Sequence, residues 1–314
     1  MRTAVKMVFA ASLLLLPAGA NGSTFPDRVP GDNGVISDTP PTAKKRPEGP
    51  APRVPRWKNA AVVSGIGLTV GIYGAIAWWD EGFSGSFRTE SEGWFGKNTY
   101  AGGADKLGHA FFTYTGSRLL TRGFEALGND PGRSRQLAVL TSLGVMTGVE
   151  VVDGFSKEFR FSVEDFAANA AGAVFAFLTD WDPRLDALLD FRLLYQKSND
   201  AKRIGDEDPI SDYSGQLFLL ALKADGIPRL REVPLLRYLE LQAGYNTRGY
   251  EPNDGEKIDP HRRIYGGVGV NLSRLLSDTL FRGDLKGGKI QHGTDTVLEF
   301  LQVPGTAART YRRL

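Results

Sequence analysis

The chain has 314 residues, a formal net charge of +2 and no cysteine. It is long enough to form one large domain or two of ordinary size. The small net charge, without a long run of lysine and arginine, argues against nucleic acid as a partner. The lack of cysteine excludes disulfides, thiolate ligands for a metal and the lipidated cysteine of a bacterial lipoprotein.

Residues 1–20 have the composition of a secretory signal peptide. Basic residues precede an apolar run from Met7 to Leu16, and small residues offer a cleavage site near Ala20. The alternative is an uncleaved anchor helix, although the apolar run is shorter than a bilayer of ~30 Å requires. Cleavage would place the mature protein in the cell envelope, on the periplasmic side of a membrane. Residues 21–56 are rich in proline, which predicts a disordered linker.

Four long apolar stretches predict a helical bundle over residues 57–190, which is expected to be the membrane-associated part of the chain. The first stretch, Ala60 to Trp79, contains no charged residue and is long enough to cross a membrane at ~1.5 Å per residue. The alternative is a buried helix of a soluble bundle. The other helices are expected from about Ala104 to Leu127, Arg133 to Val152 and Val163 to Leu178, the last with Ser162 as its N-cap.

Residues 191–314 predict a small α+β region. The segments Tyr238 to Tyr245 and Arg263 to Leu272 alternate with period two, which is typical of a β-hairpin. Short helices are expected at Leu217 to Lys223 and at about Asp295 to Leu301, and the arginine-rich C-terminal end is expected to be a solvated tail. The predicted fold class is therefore mainly α, a bundle of about four apolar helices followed by a small α+β region with a β-hairpin.

Three polar clusters interrupt the apolar helices. Residues four apart on a helix share a face, so Asp105 lies with His109, and Asp165 lies with Asn169. Burying a carboxylate without a partner is costly, so these faces are expected to meet one another or to line a wet cavity. The three clusters are Asp105, Lys106 and His109; Glu150 and Asp153; and Asp165, Asn169 and Gly172.

The segment TYAGGADKLGHAFFTY, followed by GVEVVDGFSKEFRFSVEDFAANAAGA, resembles the YfiM-like proteins, a family of predicted periplasmic lipoproteins of unknown function. The resemblance extends over about residues 80–300. More distantly, the pattern is similar to VanZ-like membrane proteins, which carry D-K-x-x-H, a Glu and D-x-x-x-N-x-x-G on three helices; Asp153 stands where that pattern usually has Gln. The resemblance implies an envelope protein with a polar cluster inside a helical bundle, and it implies no reaction.

The first possible role of the clusters is catalysis. Carboxylates around His109 would tune it as a general base, and Lys106 would stabilise an anionic oxygen. The substrate would be an envelope lipid phosphate or a lipid-linked glycan. The predicted site consists of Asp105, Lys106, His109, Glu150, Asp165 and Asn169.

Two other roles are consistent with the same residues. Asp105, His109 and Glu150, with Asp165, would suit Mn, Fe or Zn. Alternatively, the polar groups only pair across helices and fix their packing, as in a non-enzymatic structural or accessory envelope protein. Membrane lipids are the predicted partners, together with other envelope proteins, and the sequence defines neither a cofactor nor an oligomeric state.

Overall fold

The protein is described by a computed structural model over residues 54–205, 208–250 and 257–314. The predicted signal peptide and nearly all of the predicted linker lie outside these ranges. Four long helices form a bundle, which confirms the prediction. They are α1 (Arg56–Ala77), α2 (Ala104–Ala126), α3 (Pro131–Phe155) and α4 (Val163–Trp181).

Side-chain caps fix the starts of two of these helices. Asp130 accepts a hydrogen bond from the backbone N–H of Arg133 at 2.9 Å, and Pro131 occupies the first turn of α3. The Ser162 hydroxyl accepts from the backbone N–H of Asp165 at 3.2 Å, so the predicted cap of α4 is confirmed. Both caps satisfy a backbone donor that has no partner inside the helix.

The C-terminal region is a five-stranded antiparallel sheet whose strands lie side by side in chain order. A separate parallel pair, β1 (Thr89–Glu90) and β2 (Phe161–Ser162), ties the segment after α1 to the start of α4. The sheet strands are β3 (Leu189–Tyr195), β4 (Gln216–Lys223), β5 (Leu239–Tyr250), β6 (Lys257–Val270) and β7 (Ala307–Arg313). The short helices before and between these strands are α5 (Pro183–Leu188), α6 (Asn199–Ile204), α7 (Pro228–Arg231), α8 (Leu272–Thr279) and α9 (Lys289–Phe300).

The predicted hairpin is confirmed, because β5 pairs with β6 from Leu239 opposite Val270. The predicted helix at Leu217 to Lys223 is wrong, since this segment is strand β4. Its run of apolar residues is a pattern that a buried helix and a buried strand share. The expectation of a solvated C-terminal tail is also wrong, because β7 pairs with β6 through seven residues, including Arg309, Arg312 and Arg313.

Bundle and sheet share one hydrophobic core. Phe111 and Tyr114 of α2 lie in the same buried cluster as Phe218 of β4 and Phe300 of α9. The Phe111 ring lies 6.0 Å from that of Phe218, and the Tyr114 ring lies 5.9 Å from that of Phe300. The sheet is therefore packed against the helix that carries the first polar cluster.

Helix α1 covers a second, smaller core with one face. Val62 and Ile66 pack against a cluster that includes Phe124 of α2. The amides of Asn59 and Asn129 exchange hydrogen bonds of 3.0 and 2.9 Å, which hold the start of α1 on the bundle. The opposite face of α1 is exposed and carries Leu68, Ile72 and Ile76.

Candidate functional site

The three predicted clusters meet at one end of the bundle, where α2, α3 and α4 approach closely. Gly172 permits this approach, because a Cβ at that position would overlap the carbonyl oxygen of Ala110. Ala110 follows His109 directly, so the contact sets the depth at which the two helices place His109 and Asp165.

Lys106 is the centre of one half of the cluster. Its ammonium lies 2.6 Å from Asp105 Oδ2 and 3.0 Å from Asp165 Oδ1. It also makes a close ion pair with Glu92, and the ring of Tyr100 lies 5.8 Å away. The lysine is buried, and a buried ammonium needs such partners. In this half of the cluster, one positive charge lies among three carboxylates.

His109 is the centre of the other half. Its Nδ1 lies 3.4 Å from Glu150 Oε1, and its Nε2 lies 4.0 Å from Asp165 Oδ1. Neither approach is a hydrogen bond, and among the described residues Nδ1 and Glu150 Oε1 are buried without a hydrogen-bond partner. The Glu150 side chain is 2% exposed and that of His109 is 21% exposed, so the imidazole reaches the surface.

Asp165 belongs to both halves. One ligand atom from each of His109, Glu150 and Asp165 lies within 4.8 Å of the other two, and the same holds for Glu92, Asp105 and Asp165. The sequence predicted Asp105, His109 and Glu150, with Asp165, as metal ligands. In the structure Asp165 lies with His109 and Glu150, and Asp105 lies with Lys106 and Glu92.

Asn169 and Asp153 flank the cluster. Asn169 accepts a hydrogen bond from the Thr113 hydroxyl at 2.8 Å, while its own Nδ2 is buried and has no partner among the described residues. Asp153 accepts a 2.6 Å hydrogen bond from the indole of Trp79, just after α1 ends. Asp153 thus fixes the end of α1 beside the cluster instead of joining it.

The backbone before α2 has an unusual shape that positions Asp105 and Lys106. Ala101, Gly102 and Gly103 have φ of 45°, 63° and 85°, which is the left-handed region. The hydroxyl of Tyr245, on β5, donates to the Gly102 carbonyl at 2.5 Å. A Cβ at Gly102 would meet the ring of Tyr250, so glycine is required at this point of contact with the sheet.

Burial and neighbouring charges shift the ionisation of the cluster. Burial, together with the charge of Asp165, raises the pKa of Glu92 to about 9 and that of Asp105 to about 6. Burial opposes protonation of His109, but the carboxylates of Asp165 and Glu150 outweigh it and raise its pKa. Burial also opposes ionisation of Asp165, but His109 and Lys106 lower its pKa. Asp165 is therefore the carboxylate that stays ionised most readily.

Sequence reasoning missed two members of the site. Glu92 lies in a loop 13 residues before Asp105, where no helical spacing marks it. Thr113, in contrast, is four residues after His109 on the same helix, so spacing alone could have placed it on the polar face.

The arrangement combines one imidazole near the surface with carboxylates that outnumber the basic groups. An imidazole between carboxylates can accept and release a proton near neutral pH, and the same donor atoms can bind a divalent cation. Among the described residues, no serine or threonine hydroxyl is hydrogen-bonded to His109 as a nucleophile would be.

A family model matches residues 91–180. Its description is predicted periplasmic lipoprotein (DUF2279). This match confirms the resemblance to such a family over that segment, which holds Glu92 and all six predicted site residues. It fits an exported protein of the cell envelope with unknown function. No curated protein and no solved structure matches the chain.

Proposed function

We propose that this chain is a membrane-associated envelope protein whose polar cluster binds, or acts on, the head group of an envelope lipid or lipid-linked glycan. The observation that carries the proposal is the hydrogen bond from Trp79 to Asp153, which holds the end of an exposed apolar helix beside the cluster. The helix would meet lipid, and the cluster would then lie beside the membrane surface.

Helix α1 supports the membrane contact. Both α1 and α3 are long and apolar enough to cross a membrane. Of the residues in the most apolar part of each helix, 11% are buried in α1 and 33% are buried in α3. The exposed face of α1 carries Leu68, Ile72 and Ile76. These apolar side chains follow one another at intervals of four, so they form a single stripe. No cysteine is present for a lipid anchor, and α1 would take the anchoring role.

Aromatic side chains support the position of the cluster at a membrane surface. Phe83, Phe87 and Phe155 are all exposed, and the rings of Phe87 and Phe155 lie 5.1 Å apart. The Ser84 hydroxyl donates to the backbone carbonyl of Phe155 at 3.0 Å, so these residues lie at the Asp153 end of α3. Aromatic residues are common where protein meets the interfacial layer of a bilayer.

A non-enzymatic structural role is the second candidate, and Lys106 favours it. Its ammonium is buried among three carboxylates and has no exposed surface to offer a ligand. Asp105 serves the same ion-paired group. The two candidate functions therefore depend on different halves of the cluster. The Lys106 half is suited to holding helices together, and the His109 half reaches the surface.

The membrane contact can be tested by fractionating cells that express the full chain. The double substitution L68E/I72E places two charges on the exposed face of α1, and we expect it to move the protein from the membrane to the soluble fraction. Leu241, on β5, provides a matched control because it is 60% exposed and Leu68 is 65% exposed. The proposal is contradicted if L241E releases the protein as fully as L68E/I72E does.

The role of the cluster can be tested with vesicles of phosphatidylglycerol and of phosphatidylethanolamine. We expect His109→Ala to weaken binding to one of these head groups at least tenfold while the melting temperature stays within a few degrees of the wild type. Asp105→Asn should instead lower the melting temperature, because it removes a partner of a buried ammonium. If both substitutions only lower the melting temperature and vesicle binding is unchanged, the structural role is correct.

A further inference from the structure

Two groups of potential metal ligands share Asp165, and they differ in how their charge is balanced. In the group of Glu92, Asp105 and Asp165, the Lys106 ammonium contacts all three carboxylates. That group already has a cation, supplied by the chain itself.

The second group consists of His109, Glu150 and Asp165. Among the described residues, the ion pairs of Glu150 include no lysine or arginine. Its Oε1 and the Nδ1 of His109 are buried without a hydrogen-bond partner, and leaving such atoms unpaired costs about 1–3 kcal/mol each. These two buried atoms lie 3.4 Å apart without a hydrogen bond, which indicates that another group binds between them.

The distances suit a metal ion. His109 Nδ1 and Glu150 Oε1 are 3.4 Å apart, but they do not form a hydrogen bond. Ligand atoms at about 2.0–2.2 Å from a tetrahedrally bound ion are themselves about 3.4 Å apart. One donor atom from each of His109, Glu150 and Asp165 lies within 4.8 Å of the other two, so a small movement of one side chain would complete the group.

The surroundings also fit such a site. The backbone N–H of Ser162 lies 3.4 Å from Glu150 Oε2, the oxygen that does not face His109. Lys106 holds Asp165 at 3.0 Å. Contacts of this kind orient ligand side chains in metal sites. The four carboxyl groups of the whole cluster also outnumber its two basic side chains, so a divalent cation would offset part of the excess negative charge.

We propose that His109, Glu150 and Asp165 bind one divalent cation of the Mn²⁺ or Zn²⁺ type. One nitrogen and two carboxylates suit these ions better than Mg²⁺ or Ca²⁺, which take oxygen ligands almost exclusively. Three protein ligands leave a coordination position open, and the exposed edge of His109 is where a ligand would reach it. The proposal deepens the proposed function, since such an ion would attract a head-group phosphate that the carboxylates alone would repel, and it would also coordinate a glycan hydroxyl.

The test uses the full chain in detergent without added lipid, stripped with EDTA and then equilibrated with Mn²⁺ or Zn²⁺ alone. We expect about one ion per chain by elemental analysis, and a melting temperature that rises with metal concentration. His109→Ala and Glu150→Gln should each weaken binding at least tenfold and abolish the rise. The exposed His292 provides the control, and His292→Ala should bind metal as the wild type does.

Folding of the variants is checked by their melting temperatures in EDTA, and His109→Asn replaces any variant that does not fold. The inference is overturned if the wild type retains no stoichiometric ion, if Glu150→Gln binds as the wild type does, or if His292→Ala removes the ion. If His109 is instead protonated and paired with the carboxylates of Glu150 and Asp165, the wild type will retain no stoichiometric ion.

Vesicle binding in the presence and absence of EDTA separates this inference from the proposed function. If the metal binds as described but vesicle binding does not depend on His109, the proposed function fails and the metal site stands. If vesicle binding depends on His109 and no metal binds, the proposed function stands and this inference fails.

Discussion

Replacing Glu299 with glutamine would remove a negative charge that lies between two arginines of α2. Glu299, on α9, is 2.7 Å from Arg118 and makes a close ion pair with Arg122. Its side chain is 13% exposed, and that of Arg118 is 4% exposed. The contact fastens α9 to the bundle next to the core that contains Phe300. Glutamine has nearly the same shape as glutamate but no charge, so the buried guanidinium of Arg118 would lose one of its negatively charged partners.

The expected loss follows from the ionisation of Glu299. Burial disfavours the charged form, but Arg122 and Arg118 outweigh it and lower the pKa from 4.5 to about 2. At about 1.4 kcal/mol per pKa unit, the ionised carboxylate stabilises the fold by about 3 kcal/mol. Since the folded-state pKa is lower than the unfolded one, this stabilisation is complete above pH 4.5 and is lost as the pH falls towards about 2.

The assay is urea unfolding of the full chain in detergent, followed by circular dichroism between pH 3 and pH 7. Glu299→Gln should lower the free energy of unfolding by about 3 kcal/mol at pH 7, and the difference from the wild type should shrink on acidification. Asp295, one turn earlier on α9, is the control because burial raises its pKa. Asp295→Asn should therefore not destabilise the fold at pH 7. A loss below about 1 kcal/mol for Glu299→Gln, or one that is constant with pH, would refute the reasoning.

Three further outcomes are expected in thermal and urea unfolding. Gly172→Ala should cost about 1–3 kcal/mol because its methyl group would overlap the Ala110 carbonyl, whereas Gly123→Ala, which meets nothing within 4 Å, should be neutral or stabilising. Equal effects at the two glycines would contradict this. Trp79→Phe should cost about 1.5–3 kcal/mol by removing the donor to Asp153, and a loss under about 0.5 kcal/mol would argue against that bond. Deleting β7 should lower the melting temperature and expose β6 to proteolysis, whereas a solvated tail could be removed without effect.

The helices were predictable because their signals are local. Ser162 followed three residues later by Asp165 marks the start of α4, and Gly128 to Pro131 separates α2 from α3. Strand β4 was not predictable, since its apolar run fits a helix and a strand equally well and only pairing with β3 and β5 decides between them. Strand β7 was missed because an edge strand can be charged and exposed.

The candidate site was predictable to the extent that spacing places residues on helix faces. The faces of Asp105, His109 and Asp165 meet as expected, because apolar surroundings leave them few other partners. Which carboxylate lies next to which basic group could not be predicted, since that depends on how deeply the helices approach. Glu92 is the clearest case, because only the tertiary fold brings its loop to Lys106.

The left-handed backbone at Ala101 depends on contacts with the C-terminal sheet, so the helical bundle is not independent of that sheet. A non-glycine residue at φ 45° costs about 1–3 kcal/mol and persists only where its surroundings enforce it. Here Tyr245 and Tyr250 of the sheet hold the adjacent backbone, donating to the carbonyls of Gly102 and Lys97. The segment matched by the family model ends at residue 180, before either tyrosine. A fragment that contains only that segment would lose both tyrosine contacts. The turn at Ala101 would then relax next to the start of the helix that carries Asp105 and Lys106.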